Sequence, residues 1–305
     1  MIARTLSVLG VRTRFETNSR AVLDAVDESF GSWRDAPERS AARLRVTIMT
    51  HGDVGTTSRV RIAHHFPDGA RLVVHSPDCI GVSDPARGEA SAYVREGLVE
   101  DRARFRDGVL DALTLSLVSH FDRHPLHAAA VGGPSRAVLL VGSSGAGKST
   151  LAYLAHRDGL MVLSEDVAWV QLAPVVRLWG SSRTVRLGPE ASARFPEIRA
   201  IATPSARPSD DKLLVPLEHA GRSPFFAEDV TVCLLEPGHA TPTLEPIGAD
   251  RLVRALRDEV SPGFDRFPAR HHRVTRELSR NGGWRLRLSG DAREAIPLVR
   301  ELLAG

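Results

Sequence analysis

Residues 142 to 150 carry the pattern in this sequence that is most specific for one kind of chemistry. They read Gly-Ser-Ser-Gly-Ala-Gly-Lys-Ser-Thr and fit G-x-x-x-x-G-K-[ST], with Gly142, Gly147, Lys148 and Ser149 at the fixed positions. A loop of this kind turns backbone N–H groups towards anionic oxygens, and the helix after it adds its positive N-terminal end. The pattern therefore predicts a site for the phosphates of a nucleotide.

The residue types within the loop indicate separate contacts. Lys148 is expected to reach the terminal phosphates, and the Ser149 hydroxyl is expected to ligate Mg²⁺. Glycines keep side chains from blocking the phosphates. The residues that we predict to surround the nucleotide phosphates are Gly142, Ser143, Ser144, Gly145, Ala146, Gly147, Lys148, Ser149 and Thr150.

Lysine is rare in this chain, which makes each lysine a candidate for function. Of 40 Lys and Arg residues only two are lysines, Lys148 and Lys212. A compact ammonium and a planar guanidinium are not equivalent at a phosphate. Lys212 is therefore a second candidate phosphate contact, although retention by accident is the alternative.

Two adjacent acids follow a short apolar run. Leu160 to Ser164 reads LMVLS, and Glu165 and Asp166 come directly after it. A carboxylate at a strand end can hold a metal from the side opposite the loop, which is the role predicted for Asp166. Glu165 is then the candidate general base, because adjacent acids raise each other's pKa. The alternative is a strand that ends in solvated charges.

One histidine has a chain position that could bring it to these acids. His127 lies in an apolar run 15 residues before Gly142, and beside a carboxylate it could orient or tune the base. The alternative is an ordinary core histidine. The adjacent pairs His64-His65 and His271-His272 would point to opposite faces of a strand, so neither pair makes a metal site by itself.

Short apolar runs around the loop predict the elements that must position it. Strands are predicted at 126–131, 136–141, 160–164, 167–172, 175–179, 213–217, 230–235 and 284–288. Helices are predicted from Leu151 to His156, at 248–260 and at 291–303, where Pro297 indicates a kink or a later start. Strands that cluster without regular intervening helices favour a mixed sheet.

The N-terminal third has the pattern of a separate α+β module. Strands are predicted at 8–15, 44–48 and 72–75, and a helix runs from Asn18 or Ser19 to about Phe30. A long helical pattern covers 103–121, with an apolar stripe that we interpret as core packing. A length of 305 residues fits two domains.

Bulk properties exclude several classes. The net charge is only +3 and no basic stripe is interleaved with aromatic residues, so nucleic-acid binding is not expected. The longest apolar stretch, 109–118, is too short to cross a bilayer, and the first residues lack a signal-peptide core. Cys79 and Cys233 form no metal pattern and fit two free thiols in a reducing cytosol. We therefore expect a cytoplasmic protein without a membrane partner.

The run HPLHAAAVGGPSRAVLLVGSSGAGKSTLAYLAHRDGLMVLSEDVAWV resembles the catalytic core of HPr kinase/phosphorylase and its relatives, which include kinases from clusters for lasso peptides. The resemblance implies a phosphate-loop fold akin to PEP carboxykinase and ATP-dependent phosphorylation of a seryl hydroxyl. It also implies that His127 contacts the catalytic acid, that Lys148 and Ser149 hold nucleotide and metal, and that Glu165 occupies the position of the proton-accepting aspartate. Members of the family often form oligomers, so a homo-oligomer is an expectation of the resemblance.

Two departures from the family pattern qualify these expectations. Glutamate replaces the aspartate at position 165, which leaves open whether Glu165 or Asp166 is the base. The stretch WGSSRTVRLGPEA lacks the family's Glu-Arg-Gly signature, so the reverse activity and HPr as substrate are not expected. Within that stretch, Glu190 is a candidate metal ligand and Arg186 a candidate phosphate contact, with a solvated strand residue as the alternative for Arg186.

These observations predict an α/β fold with a mixed-sheet phosphate-loop kinase domain at 103–305 and an α+β accessory or substrate-recognition domain at 1–102. The predicted activity is transfer of the γ-phosphoryl group of ATP, with Mg²⁺, to a hydroxyl of a peptide or protein, such as a serine in a peptide natural product. Alternatives are a small-molecule kinase and a nucleotide-dependent switch or ATPase. Use of GTP instead of ATP stays open.

Overall fold

The structure is a computed structural model, and it describes residues 1–52, 57–133, 135–205, 211–217, 225–258 and 267–305. The chain forms two compact units, Met1–Arg123 and His124–Gly305. The boundary predicted from the sequence lies between 102 and 103 instead. The difference arises because the long helical segment packs on the sheet of the first unit, where Leu113 is fully buried.

The first unit consists of one sheet with helices. Its elements are β1 (Ile2–Val8), β2 (Val11–Thr17), α1 (Arg20–Phe30), β3 (Arg43–His51), β4 (Ala63–His65), β5 (Leu72–Ser76), β6 (Cys79–Asp84), β7 (Glu89–Arg95), α2 (Glu96–Glu100), α3 (Arg102–Phe105) and α4 (Asp111–Ser119). The seven strands lie in the order β1-β2-β3-β7-β6-β5-β4. A π-helical segment, Arg106–Leu110, joins α3 to α4, so the predicted helix over 103–121 is present in three segments.

The strand predicted at 8–15 is present from Val11 onwards, as part of β2, but its predicted start was wrong. The chain turns at Leu9 and Gly10, which have φ of 50° and 77°, and it forms the antiparallel hairpin of β1 and β2 instead. Two consecutive residues with positive φ suit a tight hairpin turn, but leucine is not a residue that signals one. The stripe on the long helical segment is core, as predicted, since Phe105, Val109 and Leu117 are fully buried.

The second unit contains the loop. Its elements are β8 (His124–His127), β9 (Ala129–Gly132), β10 (Arg136–Val141), α5 (Lys148–Arg157), β11 (Met161–Ser164), β12 (Val167–Gln171), β13 (Arg177–Trp179), β14 (Thr184–Leu187), α6 (Ala191–Arg194), β15 (Thr203–Pro204), β16 (Leu213–Pro216), β17 (Phe226–Ala227), β18 (Asp229–Glu236), β19 (Thr243–Ile247), α7 (Ala249–Asp258), α8 (Pro268–Leu278), β20 (Gly283–Arg287) and α9 (Ile296–Ala304).

A mixed central sheet organises this unit, as the strand pattern predicted. Its order is β11-β9-β10-β18-β20-β19, and β10 pairs parallel with β18 but antiparallel with β9. Smaller sheets have the orders β17-β13-β12-β8 and β14-β16-β15. Alternate residues of β10 enter two separate buried clusters, with Val138 and Leu140 in one and Leu139 and Val141 in the other. Because both faces are covered, β10 is apolar from residue 137 to its end.

Several predicted boundaries differ in instructive ways. The strand predicted at 126–131 is interrupted at Ala128, and its two halves, β8 and β9, join different sheets. The last helix begins at Ile296 after a 3₁₀ turn, Ala292–Ala295, which is the later start that Pro297 predicts. In the helix predicted at 248–260, residues 259 and 260 lie outside the described residues. The elements of this unit that were not predicted are β14, β15, β17, β19, α6 and α8.

Among the residues described by the structure, no helix combines the length and apolarity needed to cross a bilayer. Both cysteines, Cys79 and Cys233, are buried free thiols.

Gly180 is the point where the chain after β13 passes closest to β11. A Cβ atom on Gly180 would lie 2.2 Å from the Leu163 carbonyl oxygen, which is a backbone atom that cannot move aside easily. The Ser182 backbone N–H donates to the same oxygen at 3.1 Å. This approach fixes the end of β11, which immediately precedes the two acids.

We predict that Gly180→Ala destabilises the fold by about 1–3 kcal/mol, because the added methyl group forces the segment after β13 away from β11. Urea unfolding measures the free energy difference. Gly248→Ala is the matched control, since a Cβ at Gly248 meets nothing within 4 Å. Equal stability of the two variants would contradict the packing described here.

Candidate active site

The loop between β10 and α5 has the backbone of a narrow cradle. A Cβ atom on Gly142 would lie 2.9 Å from the Ala146 Cβ, so a larger residue does not fit there without a shift. Gly147 precedes the first residue of α5 with φ of 96°, a conformation that glycine adopts at low cost. The N–H groups of the first turn of α5 and the positive end of this helix therefore face the space that the loop encloses.

Lys148 spans the cradle that its own loop forms. It is the first residue of α5 and only 7% of its surface is exposed. Its Nζ donates to the Gly142 carbonyl and, at 3.1 Å, to the Ser143 carbonyl. The ammonium is thus held against the start of the loop by two backbone carbonyls.

The two acids lie between β11 and β12, beside the interruption at Ala128. The Ala128 backbone N–H donates to the Asp166 carbonyl at 3.1 Å, and the Ser164 hydroxyl donates to the Ala128 carbonyl at 2.9 Å. The register of β8 and β12 places His127 opposite Val167. These bonds bring His127 next to the acidic pair.

Arg186, on β14, binds both carboxylates. Its Nε donates to Glu165 Oε1 at 2.8 Å, its backbone N–H donates to Glu165 Oε2 at 3.3 Å, and its Nη2 donates to Asp166 Oδ2. Val185 and Leu187, the neighbours on the strand, are buried on the other face. The strand therefore directs the Arg186 guanidinium at the acids. The Arg186 side chain is only 12% exposed to solvent.

The two acids differ in their surroundings. The Glu165 side chain is 11% exposed, whereas that of Asp166 is 33% exposed. Burial raises the pKa of Glu165 above its ordinary value and the Asp166 charge adds to this rise, although the Arg186 guanidinium opposes it. Glu165 is therefore the deeper acid, and Asp166 faces the open space.

His127 contacts Asp166. Its Nδ1 lies 3.3 Å from Asp166 Oδ1. Burial lowers the pKa of His127 below its ordinary value, and the positive charge of Lys148 adds to this effect while Asp166 opposes it. A neutral imidazole in the Nδ1–H tautomer can donate to the carboxylate. The sequence pattern paired His127 with Glu165 as the first choice of base, whereas the contact in the structure is to Asp166.

Ser149 contacts the other acid. Its hydroxyl donates to Glu165 Oε2 at 3.5 Å, a long hydrogen bond. A hydroxyl and two carboxylates beside a phosphate cradle are oxygen donors of the kind that Mg²⁺ prefers, with phosphates completing its shell. The residues present therefore fit Mg²⁺. Among the described residues, no group of three or more His, Cys, Asp and Glu side chains forms a closed metal site.

A cavity of about 590 Å³ joins the predicted residues, except that Gly142 and Ser143 do not line it. Lys212 and Glu190 line it, together with His127, Ser144 to Thr150, both acids and Arg186. Lys212 is exposed and precedes β16, which pairs with β14, so this pairing carries Lys212 to the rim. The Glu190 carboxylate lies directly over Gly188, because a Cβ atom on Gly188 would be 2.4 Å from the Glu190 carboxylate oxygens.

Some lining residues were missed by sequence reasoning. The side of the cavity beyond the loop is formed by Arg194, Pro237, Gly238 and the segment from Leu288 to Gly290. Arg194 was hidden by the abundance of arginine, and the other residues lie in connections whose position depends on long-range packing. The sequence carried no local signal for them.

Comparison with known proteins shows likeness to solved structures alone. No protein-family model and no curated protein match the sequence. Among solved structures, the chain is similar to the Hpr(Ser) kinase/phosphatase from Coxiella burnetii, with 10% identity and a TM-score of 0.30 over 59% of this chain and 93% of that chain. A likeness at this level does not bear on the roles of individual residues.

We predict that Arg186→Met lowers the free energy of unfolding by about 3 kcal/mol at about pH 7.5 and by clearly less at about pH 5. The pKa of Glu165 in the folded protein is already above its value in the unfolded chain, so the free energy of unfolding falls as pH rises between these two values. Removal of the guanidinium raises the pKa of Glu165 in the folded protein further, so the range of pH over which stability is lost becomes wider. Urea unfolding at the two pH values measures the difference.

Arg177→Met is the control for this experiment. Arg177 is buried to a similar degree, but its Nε donates at 2.7 Å to Glu228, which is half exposed. Its loss should be smaller and independent of pH in this range. If Arg186→Met destabilised the protein equally at both pH values, Arg186 would not stabilise the ionised form of a buried acid.

Proposed function

We propose that the protein is a kinase that transfers the γ-phosphoryl group of ATP to a hydroxyl of a peptide or protein, with serine as the favoured acceptor. The single observation that carries this proposal is the meeting of the phosphate cradle, Lys148 and a His127–Asp166 pair in one cavity. Phosphoryl transfer requires a held phosphate chain and a base for the acceptor hydroxyl within the same space. The proposal includes the serine-kinase activity that the sequence resemblance implies.

The reaction would proceed with a direct displacement. Asp166 takes the proton of the acceptor hydroxyl, whose oxygen forms a bond to the γ-phosphorus. The bond between that phosphorus and the bridging oxygen of the β-phosphate breaks, and its electron pair leaves with ADP. Lys148 neutralises negative charge on the phosphates as it spreads in the transition state.

The contacts favour a division of roles between the two acids. Asp166 is the more exposed acid and is bonded to His127, so we assign it as the base and His127 as its positioning residue. Glu165 is deeper and bonded to the Ser149 hydroxyl, so we assign it to the metal side. Bound Mg²⁺ would screen the phosphate charge, held by Ser149 and Glu165 with Asp166 within reach. Glu190 is retained as an outer candidate ligand.

The two remaining cations take supporting roles. Arg186 is bonded to both acids, so we assign it to holding them in place rather than to the phosphate. Lys212 lies at the exposed rim and is the better candidate for a phosphate contact there.

The activity is tested by incubation of the purified protein with Mg²⁺, γ-labelled ATP and peptides encoded by neighbouring genes. We expect label on a peptide together with a mass increase of about 80 Da, the mass of one phosphoryl group. Lys148→Ala should abolish transfer, while Arg273→Ala, at an exposed position on α8, should not affect it. Label on a metabolite would make the protein a small-molecule kinase, and ATP hydrolysis without any labelled acceptor would make it a switch or ATPase.

The division of roles predicts different defects for two isosteric variants. Asp166→Asn should lower kcat by about 10²–10⁴-fold while the affinity for Mg·ATP stays close to that of the wild type, because an amide keeps an oxygen that accepts hydrogen bonds but cannot take the proton of the hydroxyl. Glu165→Gln should instead raise the Mg²⁺ concentration needed for half-maximal rate. Steady-state kinetics at varied Mg²⁺ measures both effects. The opposite pattern, with the Mg²⁺ requirement shifted by Asp166→Asn, would reverse the assignment.

A further inference from the structure

A second, smaller cavity adjoins the one that contains the loop. Its volume is about 290 Å³, and four residues, Thr150, Arg194, Gly290 and Ala292, line both cavities. We call it the side cavity. It begins at the first turn of α5, next to the expected position of the phosphates, and extends away from the acids along that helix. A ligand anchored in the cradle could therefore extend into it.

The floor of the side cavity is apolar and firmly packed. Leu154 lies one helical turn after Thr150 on α5, and Phe195 closes the floor with only 5% of its surface exposed. The Phe195 ring packs against Tyr153 of the same helix, with ring centroids 5.1 Å apart. The Tyr153 hydroxyl donates to Glu197 at 3.1 Å, which fixes the aromatic pair. Such a floor suits a flat apolar group rather than a phosphate.

A planar cation borders this floor. The Arg293 guanidinium carbon lies 5.8 Å from the centroid of the Phe195 ring. Its Nη2 donates to the Arg194 carbonyl at 3.3 Å, and its backbone N–H donates to Asp291 Oδ1 at 3.0 Å. Arg293 itself is exposed, so its guanidinium is accessible to a ligand. Guanidinium planes and aromatic rings are the surfaces on which nucleobases stack.

We propose that the side cavity binds the purine base of the phosphate donor, with the base stacked on the Arg293 guanidinium above a floor of Leu154 and Phe195. This inference rests on the proposed function. The spacing fits, because Thr150 and Leu154 are about 6 Å apart along the helix axis, a distance that one ribose can span between the α-phosphate and the base. The volume suits a nucleoside and is too small for a folded peptide segment.

The test compares the binding of Mg·ATP with that of Mg·tripolyphosphate, which has the same phosphate chain but no base. Isothermal titration calorimetry is carried out on the full chain for the wild type, Arg293→Ala, Arg293→Lys, which keeps the charge but lacks the planar stacking surface, and the surface control Arg273→Ala. We expect both side-cavity variants to raise the Kd for ATP about tenfold and to leave the Kd for tripolyphosphate unchanged, since loss of one stacking contact is of this size. Arg273→Ala should match the wild type for both ligands.

The outcomes separate this inference from the proposed function. If wild type bound ATP and both variants bound it equally well, the side cavity would not hold the base, although the kinase assignment would stand. If Arg293→Ala weakened both ligands alike, Arg293 would be a phosphate contact and the inference would be wrong. If the wild type bound neither ligand, the proposed function itself would fail. Circular dichroism of each variant checks that the loss is not due to unfolding.

Discussion

The ion pair of Arg186 with Glu165 and Asp166 is the interaction on which the candidate site depends. Two adjacent carboxylates follow a buried strand, and one of them is almost fully enclosed. Two such charges repel each other and lose their hydration, so the arrangement needs a cation with several fixed donors. Arginine meets this need because its planar fork and its backbone N–H contact both acids at once.

This requirement explains the arrangement of the surrounding strands. Arg186 reaches the acids only because β14 pairs with β16 and passes beside the end of β11. The close approach of Gly180 to Leu163 fixes the same region from the opposite direction. The interruption at Ala128 then lets His127 face Asp166 instead of continuing into the central sheet. The loop follows β10 and Lys148 begins α5, so groups carried by three sheets and one helix meet in one cavity.

The sequence was most informative where the signal is local. The loop, β10 and α5 are adjacent in the chain and obey one pattern, so each was predictable without knowledge of the fold. The contacts of Arg186 and the partner of His127 were not predictable in this way, because they depend on strand pairings between distant segments. Helix α8 was missed because only four of its residues are buried, His271, Val274, Thr275 and Leu278, and this stripe is weakly apolar.

The most direct test of the account is a crystal structure of the protein with Mg²⁺ and a non-hydrolysable ATP analogue. The account predicts that the β- and γ-phosphates lie in the cradle of residues 142–149, with the Lys148 ammonium on them and the γ-phosphate turned towards Asp166. A triphosphate bound away from this loop would contradict the central claim.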